Sequence, residues 1–181
     1  MKVFIPFLLA LFLLSCNKNE SLNISKIIFH ISDYNCWGLC PIYHLEIKND
    51  GNSRLHIEKF NQYDSTTFKT NFEITKEVPD SNKIGFYSGK LNQNKLKILN
   101  DFIIQNKIDT VKNTKNKMKC FDGPTFHFII NYENNTRKEI SYNCSNNEVL
   151  DSLSNLLLEV VKNNDFKKIE KSFFIEDINI R

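Results

Sequence analysis

The chain has 181 residues, with 24 Lys+Arg against 21 Asp+Glu and a formal net charge of +3. Hydrophobic residues at 41% and charged residues at 25% are the proportions of a globular chain of about one domain, and they exclude a disordered one. A charge this small, with no basic stripe, gives nucleic acid no electrostatic footprint, so none is expected as a partner.

Met1-Lys2-Val3 is a short positive start, and residues 3–14 form an uninterrupted apolar run. Twelve residues of helix span about 18 Å, well short of a roughly 30 Å hydrocarbon core, so the run reads as the apolar region of a secretory signal. It ends in Leu13-Leu14-Ser15-Cys16, which resembles the bacterial lipobox. The resemblance implies cleavage before Cys16 and acylation of that cysteine with palmitate-type chains. Two or three such chains anchor firmly where one is marginal. Asn17 is not the Asp of an inner-membrane retention signal, so the expected location is the outer membrane, lipid-anchored. The periplasmic face is favoured over the cell surface, although Lys18 and Glu20 resemble a surface-export signal. Residues 1–15 are then signal peptide and 16–24 a lipidated N-terminus and polar tether. Residues 25–181 form a single domain with a core at about 25–160 and a tail at 166–181.

Residues 26–32 alternate as a strand, with Ile27, Phe29 and Ile31 on one face and Lys26, Ile28 and His30 on the other. Residues 41–48 place Tyr43, Leu45 and Ile47 opposite to His44, Glu46 and Lys48. Residues 53–59 repeat the pattern, with Leu55 and Ile57 inward and Arg54, His56 and Glu58 outward. Asn49-Asp50-Gly51 between them suits a three-residue loop with glycine in the left-handed position. That loop predicts the pairs Lys48–Asn52, Glu46–Arg54, Leu45–Leu55 and Tyr43–Ile57, which match face for face. Residues 66–74 read as a further strand or a long loop, and residues 85–89 as a short strand or turn.

Asn92 or Asn94 caps a helix that buries Leu96, Leu99, Phe102 and Ile103. Residues 126–132 and 137–142 predict a second hairpin through Asn134-Asn135-Thr136, setting Glu133 against Arg137, Ile130 against Ile140 and Phe128 against Tyr142. Ser145-x-x-Glu148 predicts a capping box before a helix with Leu150, Leu153, Leu157 and Val160 on one stripe. Residues 166–181 read as a packed tail. The sum is an α+β domain: an antiparallel sheet of two hairpins plus an N-terminal strand, with two helices packed on one face.

Apart from Cys16 there are four cysteines, Cys36, Cys40, Cys120 and Cys144. An even number in an exported chain suggests two disulfides with three connectivities. The pairing Cys36–Cys40 and Cys120–Cys144 is expected, because the second pair brackets the second hairpin, with Cys144 beside Phe126. A redox role for Cys36 and Cys40 needs a helix after the motif to lower a thiol pKa, whereas an alternating strand follows Pro41. Trp37, inside that cysteine loop, either packs over the disulfide or serves as an exposed anchor for a partner. His30, His44, His56 and His127 all fall on outward strand faces. His44 sits opposite His56 with Glu46 and Glu58 near, a zinc-capable set; the plainer reading is polar filler on a wet sheet face. No Gly-x-Ser-x-Gly elbow and no phosphate-binding glycine loop is present.

Cys36-x-Gly38-x-Cys40-Pro41-x-Tyr43, then Asn49-Asp50-Gly51, Gly89-Lys90-Leu91 and Asp122-Gly123-Pro124-Thr125 together resemble the DUF6438 family over roughly residues 25–160. The family occurs in exported proteins and lipoproteins of Bacteroidetes. The resemblance implies the fold, export and the Cys36–Cys40 pairing, and transfers no activity. The chain departs from the family pattern in a longer segment around residues 60–80 and in Cys120 and Cys144. The functional expectation is therefore a lipid-anchored envelope module, binding or accessory and non-catalytic, without a cofactor. Its partners would be the membrane and an envelope protein. The alternatives are a thiol–disulfide oxidoreductase using Cys36 and Cys40, or a zinc-dependent enzyme using His44 and His56.

Overall fold

The computed structural model describes residues 23–32, 40–63, 77–112, 123–143, 147–163 and 166–176. The strands are β1 (Ile24–Ser32), β2 (Ile42–Lys48), β3 (Asn52–Lys59), β4 (Asn61–Tyr63), β5 (Glu77–Pro79), β6 (Gly85–Lys90), β7 (Thr125–Tyr132), β8 (Arg137–Asn143) and β9 (Lys167–Ile169). The helices are α1 (Gln93–Gln105) and α2 (Glu148–Asn163). Seven strands form one antiparallel sheet in the order β8-β7-β1-β2-β3-β6-β9, while β4 and β5 pair separately.

Period-two alternation decides the layers. Ile27, Phe29 and Ile31, Tyr43, Leu45 and Ile47, Leu55 and Ile57, Phe128, Ile130 and Tyr132, and Ile140 and Tyr142 share one face. Both helices cover that face with stripes of apolar residues at helical spacing: Leu96, Leu99 and Ile103 from α1, and Leu150, Leu153, Leu157 and Val160 from α2. Asn92 caps α1 by accepting from the Lys95 amide at 2.8 Å. Tyr142 ties α2 to the sheet through its hydroxyl, which bonds the Leu150 carbonyl at 2.9 Å and also meets the Ser154 hydroxyl.

The first hairpin has the predicted register, Tyr43↔Ile57, Leu45↔Leu55 and Glu46↔Arg54. Its turn puts Gly51 at φ +83°, and a β-carbon there would meet the Leu91 carbonyl oxygen at 2.7 Å. Gly51 thus serves the left-handed position and a close backbone approach at once. Gly51→Ala is expected to cost about 1–3 kcal/mol, read as a lowered urea midpoint. An unchanged midpoint would show that the loop relaxes freely.

Three expectations are corrected. The second hairpin pairs Phe128 with Ile140 and Phe126 with Tyr142, and Asn131 with Arg137, two residues from the predicted register. The loop is Glu133-Asn134-Asn135, closed by Tyr132 and Thr136, with Asn135 in the left-handed region at φ 62°. Asn tolerates that conformation and here stands where Gly51 stands in the first hairpin. Tyr142 rather than Cys144 is therefore opposite Phe126. The second helix is capped by Asn147, whose side-chain oxygen accepts from the Val149 and Leu150 amides, both at 3.1 Å. Glu148 then opens the helix itself, where the capping box expected it at the third helical position; Ser145 lies outside the described residues.

The third correction concerns the outward sheet face, which is not wet along its centre. His30 is 3% and His127 4% exposed, and Ile28 and Ile129 are fully buried. The C-terminal segment lies over Ile28, Ile129 and His30. After β9 extends the sheet edge against β6, residues 172–176 cross the face opposite the helices. Phe173 meets Phe86 edge-on at 5.0 Å, and Arg54 stands 5.0 Å over the Phe173 ring. Ile175 packs on Ile28 and Ile129. Glu176 ends the crossing in ion pairs with Lys26 at 3.1 Å and with Arg137. The bond from Arg137, aided by Lys26, holds the Glu176 carboxyl below the usual carboxylate range despite partial burial.

Candidate functional site

All four histidines of the chain stand in one row. The register aligns His127 of β7, His30 of β1, His44 of β2 and His56 of β3 as directly opposed neighbours. Ser141 of β8 flanks the row at one end and Phe86 of β6 at the other. Parity along each strand sends all four to the face opposite the helices, and strand order then places them side by side.

Specific contacts link the row. His127 Nδ1 lies 2.7 Å from the Ser141 hydroxyl. His30 Nδ1 lies 2.7 Å from His44 Nδ1, and His30 Nε2 lies 3.0 Å from the Glu176 carbonyl oxygen. His44 and His56 stack with centroids 5.6 Å apart, and His56 stacks on Phe86 at 4.1 Å. Glu58 Oε1 lies 3.1 Å from His44 Nε2 and 3.7 Å from His56 Nδ1. Burial pushes the His56 imidazole below its ordinary pKa of 6.5; Glu58 opposes this shift and His44 adds to it.

These contacts determine tautomers. A carbonyl oxygen can only accept, so His30 Nε2 carries its hydrogen. A neutral His30 is then bare at Nδ1 and accepts there, which makes His44 the donor through Nδ1–H. A neutral His44 is in turn bare at Nε2, the atom that faces Glu58.

The two carboxylates expected near the histidines have different roles. Glu46 is buried and held bidentately by Arg54, Nε to Oε1 at 3.0 Å and Nη2 to Oε2 at 2.9 Å. Only Glu58 is left to face the imidazoles. Among the described residues, His44, His56 and Glu58 form the group whose ligand atoms lie close enough for one ion, all within 4.8 Å. The sequence pairs His44 with His56; bringing His30 and His127 into the row takes the strand order β7-β1-β2-β3, for which local pattern carries no signal.

The other predicted residues separate from this site. Cys40 is disulfide-bonded, and its partner lies outside the described residues. Cys16, Cys36, Trp37, Cys120, Cys144 and residues 66–74 also lie outside them. Pro41 leads into strand β2, so no helix N-terminus follows Cys40 to acidify a thiol. Between the helices runs an open groove of about 600 Å³ over Ile98, Phe102 and Leu156, with Asp101, Gln105 and Glu159 on its rim. Among the described residues, no helix is long and apolar enough to cross a membrane.

No curated protein and no solved structure matches the chain. Residues 27–163 match the family described as a domain of unknown function, DUF6438. The match takes in the whole histidine row and Glu58 and stops before the C-terminal segment that crosses the same sheet face. With more than half of its length matched, the chain belongs to the DUF6438 family.

Proposed function

We propose that this protein is a lipid-anchored envelope module that binds a partner through the loops at one end of its sheet and performs no covalent chemistry. The polarity of the domain carries this reading. Asn23, where the chain leaves the tether, is held between the two hairpin turns. Its carbonyl accepts from the Glu133 amide at 2.9 Å, and the Ser25 carbonyl accepts from the Asn49 amide at 3.0 Å. Ser32, Ile42, Lys59, Thr125 and Asn143 mark the opposite end of the sheet. Strands of seven to nine residues separate the two ends by roughly 25 Å. Ser32, Thr125 and Asn143, the described strand ends nearest in the chain to Cys36 and Trp37, to Cys120 and to Cys144, all lie at that far end. An anchor on Cys16 would hold the domain by its turn end and direct the cysteine-bearing loops away from the lipid. Disulfides Cys36–Cys40 and Cys120–Cys144 would fix the conformation of those loops, with Trp37 as an apolar anchor among them.

Metabolic labelling with a radioactive fatty acid should mark the protein, and Cys16→Ala should abolish both label and membrane retention. Cross-linking in intact cells should capture a reproducible envelope protein. Trp37→Ala should weaken that capture by about 2 kcal/mol or more, roughly thirtyfold in Kd. A mature N-terminus elsewhere than Cys16 removes the anchor from the reading. Capture indifferent to Trp37 removes the loop end as the binding surface.

A further inference from the structure

We propose that His44 Nε2, a ring nitrogen of His56 and the Glu58 carboxylate form a binding site for one zinc-class divalent ion, with His30 as a positioning residue behind His44. Three observations carry this. First, the Glu58 carboxylate stands at nearly the right distance from both imidazoles, and all three donors lie within 4.8 Å of one another. Nitrogen and oxygen ligands about 2.0–2.1 Å from a tetrahedral ion are about 3.3–3.4 Å from each other. The two Glu58 separations, 3.1 Å to His44 and 3.7 Å to His56, bracket that value.

Second, the arrangement calls for a cation. His44 Nε2 is shut off from solvent and makes no aligned hydrogen bond, yet it faces a carboxylate oxygen. With His30 and His44 neutral, two lone-pair-bearing atoms oppose each other 3.1 Å apart. A proton or a metal ion between them relieves that repulsion. An ion of charge +2 against one carboxylate and two neutral imidazoles satisfies all three donors at once.

Third, a supporting chain is already in place. A metal-ligating histidine ordinarily donates its second ring N–H to an acceptor that sets the tautomer and orients the ring. Here His44 Nδ1–H donates to His30 Nδ1, and His30 Nε2–H donates to the Glu176 carbonyl. Arg54 does not compete for Glu58, because Glu46 and the Phe173 ring hold its guanidinium. Glu58 is exposed, so the fourth coordination position opens to solvent, where a water or an exogenous ligand completes the shell. The site lies on the sheet face and stands whether or not the loop end binds a partner.

The test uses the full-length chain purified in detergent and titrated with zinc chloride, with magnesium chloride as the hard-ion control. One zinc per chain is expected, with no magnesium bound. His44→Ala, His56→Ala and Glu58→Gln should each weaken zinc at least tenfold, and His30→Gln by about 10-fold as a supporting residue. Cobalt(II) in place of zinc should give the visible bands of a nitrogen–oxygen site without thiolate charge transfer. In the unaltered chain, imidazole nitrogen NMR should show zinc shifting His44 Nε2 and a His56 nitrogen while His44 Nδ1 stays protonated. This reading does not depend on any variant folding. Failure to bind zinc, binding that survives His44→Ala with His56→Ala (an adventitious ion only), or a cobalt spectrum with thiolate bands would each overturn the proposal.

Discussion

Phe29→Ala should lower the unfolding free energy by about 3–5 kcal/mol, the range for truncating a fully buried aromatic side chain. Phe29 lies on interior strand β1 and is fully buried. Its ring stacks on Phe128 at 5.3 Å and 13°, and on Phe126 at 6.1 Å and 8°. Tyr142 continues the stack beyond both, 5.3 Å from Phe126 and 5.7 Å from Phe128. The stack joins β1, β7 and β8 beneath the helices. Alanine would leave a cavity walled by strand side chains, which the paired backbones on either side prevent from collapsing. For a chain of this size about 2–4 °C of Tm accompanies each kcal/mol, so roughly 10 °C should be lost in a calorimetric scan. Phe174→Ala is the control: its side chain is 76% exposed, and a surface change of that kind stays within about 0.5 kcal/mol. Equal effects of the two variants would refute the buried stack as a main support of the sheet.

Arg54→Ala should cost about 3 kcal/mol, because it strands a buried carboxylate. The Glu46 side chain is only 5% exposed, whereas Arg54 is 37% exposed and reaches out over Phe173. Removing the cation leaves Glu46 without its bidentate donor in a site that water hardly enters. Removing both charges is a different experiment. Glu46→Met together with Arg54→Met should recover most of the loss, since a well-packed apolar pair often replaces a buried ion pair at little cost. Urea unfolding of Glu46→Met, Arg54→Met and the double variant closes the cycle. A double variant as unstable as Arg54→Ala would mean that the Arg54–Phe173 contact, not the ion pair, carries the stability. That outcome would shift attention to the C-terminal crossing, which Phe173 and Glu176 hold from its two ends.

The register of the first hairpin was legible from Tyr43 inward, down to the Glu46–Arg54 pair, because turn chemistry and alternation are both local; the irregularity between Ile42 and Tyr43 was not. The second hairpin was legible in its faces and not in its register. A slip of two residues keeps every side chain on its own face, so alternation cannot detect it; only the left-handed position, taken by Asn135, decides. The opposed pair His44 and His56, with Glu46 and Glu58 near, follows from the first hairpin alone; that Glu58 rather than Glu46 faces the imidazoles, and that His30 stands behind His44, could not be read in advance.

Period-two and period-3.6 patterns in the sequence determined which residues face the helices, and with them the α+β layers. Strand order was decided in three dimensions, by which strands best bury each other's inward residues over long chain separations. That order alone brings His127 beside His30 and His30 beside His44. The C-terminal segment was decided in the same way. Phe173, Phe174 and Ile175 are three consecutive apolar residues without a period that names a partner. On the extended backbone Phe173 and Ile175 turn toward the sheet and Phe174 away. Only the assembled face, with Ile28 and Ile129 uncovered between the charges of Lys26 and Arg137, gives that short run something to cover and Glu176 something to bind. A contact of this kind depends on surfaces that no single segment possesses until the sheet has formed.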